Sequence, residues 1–174
     1  IKKRMGVVTQ ENALDEELTV FENMMIYAAF MGVHRRGRSR RIHELLEYMN
    51  LSHKRDSSIQ TLSGGMKRRL VFVRALLGQT ELLILDEPTI GLDPSIRHLI
   101  WDKIKELRSR GITIIITTHY MHEAENLCDR LAILNQGKVI DDGAPIEMIR
   151  KYAPATNLED VFLSLTGREL SLDA

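Results

Sequence analysis

Cysteine is almost absent from this chain, which has Cys128 alone among 174 residues. The shortage excludes an intramolecular disulfide and fits a reducing compartment. Long apolar runs are also missing, since none approaches the roughly 20 residues that a membrane helix needs, and we expect no membrane span. Net charge is zero, with 24 basic and 24 acidic residues. No overall field therefore favours nucleic acid or an anionic surface, and we expect no nucleic-acid partner.

What the chain does contain is an alternation of short apolar runs with amphipathic stretches, in a length suited to one domain with a sizeable core. Residues 5–9, 82–85 and 112–118 are apolar or β-branched and predict strands, the latter two buried on both faces. Helical patterns lie between them, which favours parallel pairing through right-handed crossovers. We therefore predict an α/β fold with a mostly parallel sheet and flanking helices.

Helix boundaries carry clear local signals. Thr19 and Glu22 form a plausible capping box, so a helix should begin near Val20. Asp93 followed by Pro94 predicts a second helix start, with Gly111 beyond its end. Further helices are expected at residues 39–50, 63–77 (with a basic face), 121–128, 146–152 and 157–165. We expect the arginine-rich segment 34–41 and residues 51–60 to be loops, and Gln136-Gly137 to join a hairpin.

The stretch from residue 61 to 94 concentrates the chemistry. Ser63 can cap the helix that follows, while Gly64 and Gly65 allow a ligand to approach the backbone, and such helix starts attract anions. Asp86 and Glu87 follow a buried strand, at the sheet edge where α/β proteins place their ligands. Asp86 can hold a hydrated Mg²⁺, and Glu87 can orient and deprotonate a water.

Two further residues end neighbouring strands. His119 could donate to a γ-phosphate, and Gln10 can reach the metal or the water with a neutral amide. Taken singly, each feature has a structural explanation, because acidic pairs often lie in exposed turns, histidines after strands are often structural, and Ser-Gly-Gly is often a flexible turn. Their order and spacing favour phosphoryl transfer, which depends on positioning and electrostatics.

These motifs resemble those of ATP-binding-cassette (ABC) ATPases in type and order. The resemblance covers nearly the whole chain: LSGGM from Leu62 is similar to the signature motif, LLILDEP from Leu82 to Walker B, Gly91-Leu92-Asp93 to the D-loop, Thr118-His119 to the switch histidine, and VVTQ to the Q-loop. Residues 117–130 and 158–167 are similar to the corresponding segments of drug-resistance and nodulation-factor exporters. The fold so implied is a partial RecA-like P-loop NTPase core plus the ABC α-helical subdomain.

The resemblance also implies roles for single residues. Asp86 would assist Mg²⁺ binding, Glu87 would be the catalytic base, and His119 would contact the γ-phosphate of ATP. Gln10 would reach the Mg²⁺ site and link nucleotide to a transmembrane permease. The signature residues Ser63, Gly64 and Gly65 would contact ATP held by a second subunit in a head-to-tail dimer, with Asp93 crossing that interface.

The implied domains are residues 1–10 for the Q-loop strand, 11–78 for the helical subdomain and 79–174 for the rest of the catalytic core. A P-loop, G-x-x-x-x-G-K-[ST], does not occur in these residues, and in the family it precedes the Q-loop. We therefore expect a chain truncated before that motif and inactive by itself. The intact protein would bind ATP and Mg²⁺ at the cytoplasmic face of the inner membrane as a peripheral subunit.

Two other functions remain open at this stage. One is a soluble ABC ATPase of DNA repair or translation, which tandem cassettes or a coiled-coil insertion would mark. The other is a non-catalytic module that docks a partner, for which an intact Glu87 and His119 have no chemical use. The transported substrate is not encoded in these residues, because the permease would select it.

Overall fold

The structure is a computed structural model, and it describes residues 4–167. The chain divides into two compact units, with the boundary between Thr117 and Thr118. The first unit holds the sheet that carries the acidic pair, and the second holds a hairpin and three helices.

The sheet of the first unit has three parallel strands in the order β1-β2-β3, which confirms the parallel prediction. They are β1 (Met5–Val8), β2 (Leu82–Asp86) and β3 (Thr113–Thr117). Val8 pairs with Leu85 and Leu85 with Ile116. The carboxyl ends of the strands therefore meet at one edge, where the sequence placed its candidate residues.

Burial of these strands differs from the prediction that both faces are covered. In β2, Leu83 and Leu85 are completely buried, whereas Leu82 and Ile84 on the other face are half-buried. In β3, Ile115 is 49% exposed and the flanking threonines are exposed. The apolar run predicted the strands correctly, but a run of β-branched residues does not report how much structure covers each face.

Three helices lie between β1 and β2 in the chain: α1 (Val20–Phe30), α2 (Arg35–Tyr48) and α3 (Gly64–Arg74). The capping box at the start of α1 is present, with Thr19 accepting from the backbone of Glu22 and Glu22 accepting from that of Thr19. The apolar sides of these helices, together with Met49 just after α2 and Ile59 in the turn before α3, form a core of fully buried side chains. Its helical members include Met24, Ala28, Ile42, Leu46, Leu70, Val71 and Val73.

The arginine-rich segment was predicted to be a loop, and that prediction is wrong because α2 begins at Arg35. His34 caps the helix, and the side chain of Arg38 donates to the carbonyl of Val33 over 2.8 Å. Arginine is a good helix former, so two weak positions, Gly37 and Ser39, do not stop the helix. The expected loop at 51–60 contains two short 3-10 turns, Ser52–Lys54 and Ile59–Thr61.

The last helix of the first unit is α4 (Pro94–Ser109), which has Pro94 in its first turn as predicted. Its buried face includes Ile100, Trp101 and Ile104. Gly111 follows with a φ of +88°, a left-handed conformation that glycine adopts without a Cβ penalty.

The second unit contains α5 (Met121–Leu127), a hairpin of β4 (Leu131–Asn135) and β5 (Lys138–Gly143), then α6 (Pro145–Lys151) and α7 (Leu158–Thr166). Gln136 and Gly137 both have positive φ, as the predicted two-residue turn requires. Its core consists of Ala124, Ile133, Met148, Leu158 and Val161. Among the described residues of both units, no helix is long and apolar enough to cross a membrane.

Candidate functional site

The carboxyl-terminal edge of the sheet brings three of the candidate residues into neighbouring positions. β2 ends at Asp86, with Glu87 next, and Gln10 lies two residues beyond the end of the adjacent strand β1. Asp86 accepts a short hydrogen bond from the hydroxyl of Thr117 on β3. Its carboxylate is exposed, so it remains accessible to solvent and ions at this edge.

Glu87 has an unusual backbone conformation. Its φ is +46°, in the left-handed region that costs L-residues energy and that often occurs at functional positions. The backbone N–H of Glu87 donates to the carbonyl of Thr117 over 3.0 Å. This conformation turns the chain sharply away from β2 immediately before Pro88.

Sequence reasoning missed Arg68, which it treated as part of the exposed basic face of α3. The side chain is 5% exposed, and each nitrogen of the guanidinium donates to the backbone. Nε donates to Pro88 (2.9 Å), Nη2 to Asp86 (2.9 Å) and Glu87 (2.7 Å), and Nη1 to Thr9 and Gln10. Helical spacing could have revealed it, because Arg68 shares a face with the buried residues Val71, Phe72 and Ala75.

At the start of α3, Ser63 accepts from the backbone N–H of Met66 over 3.3 Å, as predicted for a cap. Gly64 and Gly65 are not required by internal packing. A Cβ at Gly64 would meet nothing within 4 Å, and one at Gly65 would make an ordinary 3.5 Å contact with Ile96. Gly64 therefore has open space next to the helix N-terminus, whereas Gly65 lies at van der Waals distance from Ile96.

Asp93 caps α4, and its side chain accepts from the backbone of Ser95 (3.0 Å) and Ile96 (3.1 Å). The Ser95 hydroxyl bonds the same oxygen over 2.6 Å. These hydrogen bonds hold the pKa of the Asp93 carboxyl below its ordinary value, and the bond from the Ser95 hydroxyl contributes most. The carboxylate is exposed, so the cap leaves it in contact with solvent.

His119 is exposed and belongs to the second unit, two residues beyond the end of β3 in the chain. Among residues 4–167 no group of three or more His, Cys, Asp or Glu side chains is arranged to hold a metal ion. Mg²⁺ does not need such a group, because it uses one or two carboxylates and completes its shell with water and phosphate oxygens. The exposed Asp86 carboxylate fits that preference.

The fold and this edge define a partial RecA-like α/β core, as the sequence predicted. The sequence model of the family described as "ABC transporter" matches residues 1–90. The chain therefore belongs to the ABC transporter family. The sequence resemblance to that family is confirmed.

Among curated relatives, the chain is 47% identical over 151 residues to the "Nod factor export ATP-binding protein I" of Rhizobium sp. (strain N33), covering 87% of this chain and 50% of the relative. It is 46% identical to the protein of that name from Burkholderia orbicola (strain AU 1054), covering 85% and 49%. The chain thus spans about half the length of the curated relatives it matches.

Two solved structures are similar to most of this chain. An "ATP binding subunit of ABC transporter" superposes with a TM-score of 0.82 at 29% identity, covering 94% of this chain and 69% of that one. A dimeric ATP-binding cassette in a post-hydrolysis state, bound to ADP and Pi, has a TM-score of 0.73 at 27% identity, covering 81% and 62%. These likenesses confirm the predicted fold class.

Proposed function

We propose that this chain is part of the nucleotide-binding subunit of an ABC exporter, which couples ATP binding and hydrolysis to transport through a membrane permease. The observation that carries the proposal is the placement of Asp86 and Glu87 at the end of a parallel strand, beside the Gln10 loop. A carboxylate pair at this edge suits metal-assisted phosphoryl transfer. The similarity to proteins named for Nod factor export supports an exporter.

In this proposal Asp86 and the Gln10 amide hold Mg²⁺, which when bound supplies positive charge to the phosphate oxygens. Glu87 accepts a proton from the attacking water, and His119 donates to the γ-phosphate oxygen. The exposure of Asp86 and the short bond from Thr117 support its part, because an oriented carboxylate loses less entropy on binding a cation.

Ser63, Gly64 and Gly65 are proposed to bind the ATP held by a second subunit in a head-to-tail dimer, with Asp93 at the same interface. The open space beside Gly64 supports this role, since a Cβ there would meet nothing within 4 Å and a phosphate could approach the N-terminal amides of α3 at that position. A dimeric structural neighbour supports the arrangement.

The proposed domains are residues 1–10 for the Q-loop strand, 11–78 for the helical subdomain and 79–174 for the remaining core. The helical subdomain offers exposed apolar side chains on α1, where Ile26 is 49% exposed and Phe30 is 77% exposed. These positions are one helical turn apart, and we propose that they contribute to the permease contact. The subunit would then lie peripherally on the cytoplasmic face of the membrane.

We propose that the 174-residue chain by itself neither hydrolyses ATP nor binds it tightly, because it contains no G-x-x-x-x-G-K-[ST] motif to cradle the phosphates. Calorimetry tests the second statement directly. Millimolar or weaker affinity is expected, and micromolar binding would overturn the statement.

The proposed activity is tested with the full-length gene product that includes these residues. We expect Mg²⁺-dependent ATP hydrolysis that Glu87→Gln reduces by about 100-fold or more, the scale expected when a general base is removed. Gly65→Ala should leave the thermal midpoint unchanged, because a Cβ at this position fits. In the Glu87→Gln background, where bound ATP is not hydrolysed, Gly65→Ala should abolish ATP-dependent dimerisation. Full hydrolysis by Glu87→Gln would refute the assignment of the base.

A further inference from the structure

The buried guanidinium of Arg68 connects two loops that come from distant parts of the chain. Arginine has five N–H groups in a planar fork, and here they are distributed over carbonyls of the Gln10 loop and of the loop after β2. The acceptors in the first loop are Thr9 and Gln10, and those in the second are Asp86, Glu87 and Pro88. No other common side chain can satisfy this set, since lysine has three donors on a single nitrogen.

One of these acceptors belongs to Glu87, whose left-handed backbone is held from two sides. On one side its N–H donates to Thr117, and on the other its carbonyl accepts from Arg68 over 2.7 Å. A non-glycine residue keeps such a conformation only when its surroundings enforce it. Arg68 is one of the groups that do so here, and the backbone N–H of Ile90 donates to the same carbonyl over a longer 3.4 Å.

The same helix also holds the rest of the Gln10 loop. Arg74, at the other end of α3, donates to the carbonyls of Asn12 (3.2 Å) and Ala13 (2.6 Å), and its guanidinium lies 4.7 Å from the ring centroid of Tyr27. The N-terminus of α3 begins at the Ser63 cap. A displacement of α3 therefore reaches both the Gln10 loop and Glu87 through hydrogen-bonded arginines.

We infer that Arg68 is a positioning residue for the proposed hydrolysis. It holds the backbone of Glu87 in its left-handed conformation and ties that backbone to the Gln10 loop and to α3. The inference rests on the proposed function for its kinetic consequence only. Through Arg68, a displacement of α3 is transmitted to the backbone of Glu87.

The kinetic test is a double-mutant cycle in the full-length protein with Arg68→Gln and Glu87→Gln. Arg68→Gln should lower kcat by about 10- to 100-fold with KM for ATP changed less than about threefold, because a small displacement of a catalytic group costs on this order. In the Glu87→Gln background, Arg68→Gln should cause a smaller loss than in the wild type, since the part of its effect that passes through the Glu87 carboxylate is already gone. Additive losses in the cycle would overturn the inference.

Two variants separate positioning from simple loss of stability. Arg68→Lys keeps the positive charge but not the fork, so it should recover less than half of the wild-type kcat. Leu46→Ala is the control, because Leu46 is fully buried on α2 and its loss creates a cavity. If Leu46→Ala and Arg68→Gln lower the thermal midpoint and kcat to the same extent, Arg68 is merely structural.

Amide hydrogen exchange supplies a readout that does not depend on hydrolysis. In the nucleotide-free full-length protein, Arg68→Gln should accelerate exchange at the Glu87 N–H at least tenfold, while amides in the middle of α2 stay protected. An unchanged exchange rate of the Glu87 N–H in Arg68→Gln would show that Arg68 does not hold the Glu87 backbone, even if the enzyme is active. If wild-type protein lacks ATPase activity, the proposed function fails, yet this exchange experiment still decides whether Arg68 holds Glu87.

Discussion

Replacing Glu87 by glycine and by alanine gives a sharp test of the left-handed backbone after β2. Its φ is +46°. A left-handed conformation costs an L-residue about 1–2 kcal/mol, from which glycine is free. Glycine loses about 0.5–1 kcal/mol more backbone entropy than alanine on folding. The difference predicts that Glu87→Gly is more stable than Glu87→Ala by up to about 1.5 kcal/mol, with a midpoint of about 0.8 kcal/mol.

The matched control is Lys105, an exposed residue in the interior of α4 with ordinary helical backbone. There glycine should be less stable than alanine by about 1 kcal/mol. The glycine variant should therefore have the higher free energy of unfolding of the pair at position 87 and the lower one at position 105. A general destabilisation by glycine cannot produce opposite signs at the two positions.

Urea unfolding followed by fluorescence measures both differences. The single tryptophan, Trp101, is 3% exposed in the first unit, which also contains both mutated positions. Equal slopes against urea among the four variants would establish that only stability has changed. A free energy of unfolding that is higher for Glu87→Ala than for Glu87→Gly would refute the strained conformation and, with it, the inference that Arg68 must hold the Glu87 backbone.

Three further predictions concern the elements that position the site. Gly6→Ala should destabilise the protein by about 1–3 kcal/mol or more, because its Cβ would lie 2.3 Å from the backbone oxygen of Ala75. Leu85→Ala should cost about 2–5 kcal/mol, since the side chain is fully buried beneath the acidic pair. The lowered pKa of Asp93 means that the carboxylate adds stability above its ordinary pKa of 3.8, and that this stability is lost as pH falls through the lowered value. The thermal midpoint of the wild type should therefore fall further in acid than that of Asp93→Asn.

Each of these three predictions would be contradicted by a specific result. Urea unfolding that gives Gly6→Ala wild-type stability would show that β1 lies farther from the chain after α3. A cost below about 1 kcal/mol for Leu85→Ala would place that side chain near solvent. Parallel acid profiles of wild type and Asp93→Asn in thermal melts would mean that the carboxylate does not cap α4.

Helix starts, the hairpin turn and the strands could be predicted from the sequence, because each of their signals lies within a few residues of the feature it determines. Thr19 and Glu22 specified the first helix start, and Asp93 with Pro94 specified that of α4. Gln136-Gly137 specified the hairpin turn. The order of the motifs identified the family, and the short apolar runs identified the strands that place Asp86 and Glu87 at one edge.

Contacts between distant segments were decided by the tertiary structure alone. Arg68 and Thr9 are 59 residues apart in sequence, so helical spacing could indicate that Arg68 lies on a buried face but not that its charge is buried against that loop. The exposure of Ile115 and the left-handed conformation of Glu87 likewise depend on neighbours brought close by folding. The sequence by itself predicted which residues would carry the proposed chemistry. Folding decided how they are held, because burial and backbone strain are properties of surroundings that a linear pattern does not contain.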